Sequence, residues 1–193
     1  MKTFQELGLE ENILKAITEQ GFVHPTDIQE QTIPAILGSS EDTIALAQTG
    51  TGKSAAFLLA CMHLLMTNPV AADKKGPWAI ALAPTRELAL QIHKDAVRLG
   101  WFTGMEFACI YGGTGYETQR KTLEAGADIV IGTPGRIIDF YKQGVFTLEN
   151  IEVCILDEAD RMFDMGFIAD IRYLLRRMPP PEKRLNLLFS ATL

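Results

Sequence analysis

Six short apolar runs, rich in aliphatic and β-branched residues, recur along the chain at Thr43–Ala47, Trp78–Ala83, Met105–Tyr111, Asp128–Ile131, Ile151–Leu156 and Leu185–Phe189. Runs of this length bounded by polar and turn-forming residues predict buried strands. Between most of them, apolar residues fall at helical spacing, over Ser54–Thr67, Arg86–Leu99, Tyr116–Glu124, Arg136–Lys142 and Gly166–Met178. Strands alternating with helices predict an α/β fold: right-handed crossovers and a mainly parallel sheet with helices on both faces. Residues 1–42 read differently, as two helices, Glu10–Gln20 closed by Gly21 and Asp27–Leu37 with a kink expected at Pro34. The chain is therefore expected to be one compact domain, with an N-terminal helical segment over 1–42 and a core over 43–193.

Composition narrows the class without naming the chemistry. The 193 residues carry a net charge of −6, and residues 1–42 account for all of it, leaving 16 charges of each sign over 43–193. A diffuse basic footprint for nucleic acid is therefore absent. Cys61, Cys109 and Cys154 are odd in number, far apart and set in apolar runs, so they predict buried hydrophobes rather than a disulfide framework or a metal site. No apolar run is long enough to span a bilayer, and the N-terminus lacks the apolar stretch of a signal peptide. A reducing, cytoplasmic setting is the expectation.

In parallel sheets ligands bind where loops leave the carboxyl ends of the strands, so the segment after each strand is informative. After the first comes Gln48-Thr49-Gly50-Thr51-Gly52-Lys53-Ser54 and then a helix. Gly50 and Gly52 let successive N–H groups curl around a phosphate, Lys53 reaches the outer phosphates, and the Ser54 hydroxyl is suited to Mg²⁺. The general pattern wants Gly six positions before the lysine, where Ala47 stands. After the fifth strand comes Asp157-Glu158-Ala159-Asp160. Asp157 is suited to holding Mg²⁺ through its water shell, and Glu158 to orienting and deprotonating an attacking water. Alone, acids at a helix start would merely complement its dipole; beside a phosphate loop they predict polyphosphate hydrolysis.

Through these residues and others like them, the whole chain resembles the first RecA-like, P-loop domain of the DEAD-box RNA helicases. Phe4, Gly21-Phe22 and Pro25-Thr26-Asp27-Ile28-Gln29 resemble the adenine-reading Q motif, and Ala47–Ser54 motif I, with Ser54 where Thr is commoner. Pro84-Thr85-Arg86-Glu87-Leu88-Ala89, Gly112-Gly113 and Thr133-Pro134-Gly135-Arg136 resemble the RNA-contacting motifs, Asp157–Asp160 motif II, and Ser190-Ala191-Thr192 motif III. The resemblance implies ATP and Mg²⁺ as cofactors, with Phe4, Phe22, Thr26, Gln29 and residues 48–54 binding the nucleotide. It implies RNA as partner, held weakly, salt-sensitively and with little sequence preference through Pro84, Thr85, Arg86, Gly113, Thr133, Pro134, Gly135 and Arg136. It assigns Ser190 and Thr192 to hydroxyl bonds with Asp160 that couple nucleotide state to RNA. A second RecA-like domain, supplying arginine fingers, is implied and is missing from this sequence, so the chain is expected to be a fragment with little ATPase of its own.

A finer resemblance, to a bacterial member of the family, rests on Tyr111–Tyr116 and on residues 166–180; it implies an RNA-degrading assembly as partner. The same motifs would also serve a nucleotide-gated RNA clamp that holds without unwinding, or a DNA-directed relative, against which the Q motif and Asp-Glu-Ala-Asp argue. Gln29 has a local alternative, since Thr26-x-x-Gln29 is also a capping box; Phe4 has one in the core. His24, His63, His93, Trp78 and Trp101 lack ligand spacing or an aromatic array and are assigned to packing. The stretch Arg161–Arg184, with six basic and three acidic residues, reads as a solvated face.

Overall fold

The computed structural model describes residues 2–68 and 75–192; Met1 and Leu193 of the expected domain bounds lie outside the described residues. Six strands, β1 (Thr43–Leu46), β2 (Ala79–Leu82), β3 (Phe107–Ile110), β4 (Ile129–Gly132), β5 (Val153–Leu156) and β6 (Leu185–Ser190), form one sheet in the order β1-β6-β5-β2-β4-β3. All five pairings are parallel. Every predicted strand is present, most of them trimmed at the ends.

Strand residues alternate strictly between two cores. Ala79, Ala81, Ile129, Ile131, Val153, Ile155, Leu187 and Phe189 pack on one side, with α1 (Glu11–Glu19), α2 (Asp27–Leu37), α3 (Lys53–Thr67) and α4 (Arg86–Leu99). Ile80, Leu82, Val130, Cys154 and Leu156 pack on the other, with α5 (Tyr116–Ala125), α6 (Pro134–Lys142), α7 (Ala159–Asp164) and α8 (Ile168–Leu175). Helix α3, wedged between the sheet, α2 and α4, is apolar on nearly every side, because every residue from Ala56 to Met62 is buried. Its Phe57 ring meets Phe189 of β6 edge-on at 5.2 Å.

Helix α2 runs through Pro34 without interruption, with the proline on the exposed side. Three sequence expectations need correction. The predicted helix over 166–178 is shorter, and α7 precedes it as a separate turn-and-a-half. Gly166, at φ 85°, ends that turn in a left-handed conformation that a side chain resists. The Arg184 guanidinium binds the carbonyls of Leu175 and Pro179, satisfying acceptors for which the proline run supplies no N–H donors. Strand β1 is covered on one face only, since Ile44 and Leu46 remain 62% and 51% exposed at the sheet edge. Trp101, expected in the packing, is 70% exposed.

Removing the central aromatic contact and altering the uncovered edge should differ sharply. Phe189→Ala is expected to cost about 3–5 kcal/mol by urea denaturation, whereas Ile44→Lys should stay within about 0.5 kcal/mol.

Candidate functional site

The register of the sheet levels its strand ends in two groups, β5 with β2, β4 and β3, and β1 with β6, which run two residues farther because Leu156 pairs with Leu188. Leu46 pairs with Ser190, Leu82 with both Leu156 and Gly132, and Ile110 with Gly132. The loops after all six strands therefore leave from one rim. The strands ahead of the phosphate loop, motif III-like and acidic segments (β1, β6, β5) are contiguous, as are those ahead of the Arg86, Thr133 and Gly112-Gly113 segments (β2, β4, β3).

The phosphate loop closes onto the N-terminus of α3, whose cap is Gly52. Gly50 and Gly52 both take positive φ, 86° and 89°. A Cβ on Gly52 would also lie 2.6 Å from the Gln29 side-chain nitrogen and 2.9 Å from the Thr26 hydroxyl, so glycine is needed there twice over. Thr51 donates its hydroxyl to the Gln48 carbonyl at 2.7 Å, folding the loop back on itself. Helix α3 begins at Lys53, whose Nζ is buried 3.0 Å from Asp157 Oδ1 and 3.9 Å from Glu158 Oε1. Thr49 completes the bridge, its hydroxyl 3.4 Å from Glu158 Oε1.

Asp157 is fully buried. Its Oδ1 accepts from Lys53 and from the Glu158 N–H at 2.9 Å, while Oδ2 has no hydrogen-bond partner among the described residues. Burial raises its pKa above the ordinary carboxylate value, and the Lys53 ammonium opposes that rise. Glu158, at φ 49° and ψ 50°, is the one non-glycine residue in the left-handed region among the described residues. Such a conformation costs about 1–3 kcal/mol and persists where the surroundings dictate it. Here it turns the Glu158 carboxylate toward Thr49, Lys53 and Arg161.

A cleft of about 480 Å³ opens beside the loop, within the usual range for small-molecule sites. Phe4, Phe22, Thr26, Gln29, Thr49 and Gly50 line it, together with Gly52, Lys53 and Ser54. Gln48 and Thr51 shape the loop from outside the cleft. Gln29 forms the capping box that its spacing from Thr26 allows and also reaches the phosphate loop. Its Oε1 accepts from the Thr26 N–H at 3.0 Å, completing a capping box, and its Nε2 donates to the Gly52 carbonyl at 3.0 Å. A carboxamide has two donors and two acceptor lone pairs, so one of each remains for a ligand. Phe4 is buried and belongs to the core as well as to the cleft wall, whereas Phe22 is half-exposed at the mouth.

For a divalent ion, among the described residues no cluster of three His, Cys, Asp or Glu side chains is close enough to form a cage. The orphaned Oδ2 of Asp157 and the Ser54 hydroxyl fit Mg²⁺, which is usually bound by one or two protein oxygens with substrate phosphates.

Motif III-like residues dock on the acidic segment. Thr192 donates its hydroxyl to Asp160 Oδ2 at 2.9 Å and its N–H at 3.2 Å. Ser190 accepts from the Asp160 N–H at 3.4 Å and donates to the Thr192 carbonyl at 2.6 Å. Burial would raise the Asp160 pKa, but the bonds from Thr192, Arg161 and Ser190 outweigh it and hold it below the ordinary value.

Farther along the rim, Thr85 caps α4 by accepting from the Leu88 N–H at 3.2 Å, Pro84 is buried, and Arg86 stands exposed, 4.8 Å over the Tyr111 ring. Gly113 is exposed at φ 99°. Thr133 and Pro134 start α6, with Gly135 exposed in its first turn. Arg136 differs from Arg86. Its guanidinium lies over Tyr116 at 5.1 Å and Phe140 at 5.7 Å, and one terminal nitrogen is buried without a partner. Sequence reasoning missed Gln119, which is buried beneath the Gly112–Gly115 loop. It accepts from the Tyr111 N–H at 3.0 Å and donates to the Thr114 carbonyl at 2.9 Å. No local signal distinguishes it from any helix-surface glutamine.

Known proteins resemble this chain along most of its length. The model of the DEAD/DEAH box helicase family matches residues 26–193. A protein of Pseudoalteromonas atlantica named ATP-dependent RNA helicase RhlB is 55% identical over 98% of this chain, and one of the same name from Enterobacter sp. is 51% identical over 98%. Each alignment takes in 45% of the relative, so the chain spans less than half their length. A crystal structure of a DEAD box protein from Methanococcus jannaschii matches with a TM-score of 0.87 and 43% identity, over 99% of this chain and 50% of that one. A hypothetical ATP-dependent RNA helicase from Sulfolobus tokodaii matches at 0.83 and 36%, over 95% and 51%.

The buried pair at the base of the loop has a direct test. Lys53→Met leaves Asp157 buried without its counter-charge and is expected to destabilise the protein by up to about 3 kcal/mol, while Lys53→Met/Asp157→Asn should recover a large part of that loss in denaturant titrations.

Proposed function

The chain belongs to the DEAD/DEAH box helicases, and on that premise we propose that it is the ATP-binding, RecA-like half of an ATP-dependent RNA helicase that couples hydrolysis to RNA unwinding or remodelling. The observation that carries this reading is the convergence of Lys53 on Asp157 and Glu158, 3.0 and 3.9 Å away. Two segments more than 100 residues apart thereby share one site of the kind that a nucleoside triphosphate requires.

The base enters the cleft between Phe4 and Phe22, and the unused donor and acceptor of Gln29 read adenine N7 and N6. The amides of residues 48–54, the α3 N-terminus and Lys53 hold the phosphates; to do so Lys53 exchanges Asp157 for phosphate oxygens. Ser54 and Asp157 would hold Mg²⁺, which when bound neutralises charge on the phosphates. Glu158, already aimed into the site by its backbone, orients water and takes its proton. Asp160, Ser190 and Thr192 link this chemistry to the rim, where Arg86 and the loop residues Pro84, Thr85, Gly113, Thr133, Pro134 and Gly135 meet the RNA backbone. Arg136 joins them by swinging its unpaired nitrogen outward. The N-terminal segment 1–42 acts as the base-recognition unit on the 43–193 core.

The relatives carry more than twice this length, consistent with a second RecA-like domain that supplies arginine fingers; without it the present chain is expected to bind ATP and hydrolyse it poorly. The relatives named RhlB favour a role in RNA degradation in the cytoplasm, alongside an RNA-degrading assembly. Among the described residues no helix is long and apolar enough to cross a membrane.

In the full-length enzyme, Glu158→Gln should leave nucleotide binding intact and lower RNA-stimulated turnover by about 10²–10⁴, read by single-turnover phosphate release. Equal turnover would remove Glu158 from the mechanism. Gln29→Ala should lose preference for ATP over GTP, worth about 1–3 kcal/mol in ATP affinity, measured on the 193-residue chain. Full-length protein that traps RNA with a non-hydrolysable ATP analogue yet never separates a short duplex would instead identify a nucleotide-gated clamp.

A further inference from the structure

Helix α8 and the turn after it gather more cations than carboxylates. Over residues 169–184 the chain has Arg172, Arg176, Arg177, Lys183 and Arg184 against Asp170 and Glu182, in a protein whose net charge is −6. Among the described residues, no ion pair joins Arg172, Arg176 or Arg177 to an acid. Arg177 stacks 3.3 Å from the Tyr173 ring centre, and Lys142 of α6 comes to 5.2 Å of that ring. Arg184 is spent on the carbonyls of Leu175 and Pro179 and on Asn186, which fixes the turn. Arg172 and Arg176 are left exposed, one helical turn apart, between two adjoining clefts of about 380 and 450 Å³ that both residues line.

Collecting like charges costs free energy unless an anion answers them. We propose that this surface is a second RNA-binding site, at which Arg172 and Arg176 hold the phosphates of a strand that extends beyond the rim motifs. Helices α6 and α8 both end where strands begin, so the surface lies at the pole opposite the nucleotide rim and takes different nucleotides from those held by Arg86. Residues i and i+4 are separated by about 6 Å along a helix, a spacing that lets two guanidinium groups grip neighbouring phosphates of one strand. A protein partner is disfavoured because the one exposed large hydrophobic side chain of α8, Ile168, stands at its opposite end, and none lies within Arg172–Arg184. The Tyr173 ring is already engaged by Arg177 and Lys142, so contact is through the backbone and independent of sequence. This second site rests on the RNA-helicase reading above.

The test uses the 193-residue protein and a fluorescent oligouridylate of about 24 nucleotides, titrated across a range of salt. Arg172→Ala/Arg176→Ala should weaken binding at least about tenfold at low salt and flatten the salt slope by roughly 1.4, as expected for two lost phosphate contacts on a single strand. Arg172→Lys/Arg176→Lys should retain most of the slope, and affinity for a fluorescent ATP analogue should be unchanged in both. Unchanged oligouridylate affinity and slope in the alanine variant would overturn the proposal. So would binding of a polyglutamate peptide that depends on Arg172 and Arg176 while the oligouridylate ignores them, which would mark an acidic protein segment as the occupant.

Discussion

Parallel strands all point the same way, and in this sheet their ends fall within two residues of one another. That pair of constraints governs everything else in the molecule. Residues as distant as Gln48, Asp157 and Ser190 come within reach of one another because β1, β6 and β5 are adjacent and finish on one rim. The loops after β2, β4 and β3 continue the same rim without interruption. The phosphate-loop, acidic and motif III-like segments and the Arg86, Thr133 and Gly112-Gly113 segments are thus laid side by side by strand order and register. The pairing of β5 with β2 joins the two sets, and Thr192 holds Asp160 on the first of them.

At the nucleotide end, the energetic tension lies in two side chains. Asp157 is buried deeply enough that its charge is tolerated only through Lys53 and one backbone N–H, and half of its carboxylate goes unanswered. Glu158 occupies a left-handed backbone conformation that favours glycine or asparagine. Both would be poor choices for stability in isolation. Both make sense where a polyphosphate with its ion relieves the first and a well-aimed carboxylate justifies the second.

Much of this was legible in the linear chain. The six strands show as short apolar runs, the crossovers as helical spacing, and the phosphate loop as a glycine-rich turn between the two. The misses share a cause, since each depends on contacts that no local window contains. The exposed Ile44 and Leu46 look like any buried strand pair until β1 proves to be an edge. Trp101 reads as packing until it is found facing solvent, and Gln119 as a surface residue until the Gly112–Gly115 loop folds over it. Arg161–Arg184 reads as an ordinary solvated stretch; only its unpaired arginines and paired clefts make it unusual.

The sequence by itself determined the class of fold and the chemistry of each loop, because strand periodicity, glycine at positive φ and the choice of Lys, Ser, Asp and Glu are local properties of the chain. Tertiary structure alone decided which loops meet. The order β1-β6-β5-β2-β4-β3, the 3.0 Å approach of Lys53 to Asp157, and the division of Gln29 between its own helix cap and the phosphate loop arise from long-range pairing of strands and helices. Such pairing is selected by burial of two apolar faces at once, a cooperative quantity that belongs to the folded whole and to no single segment.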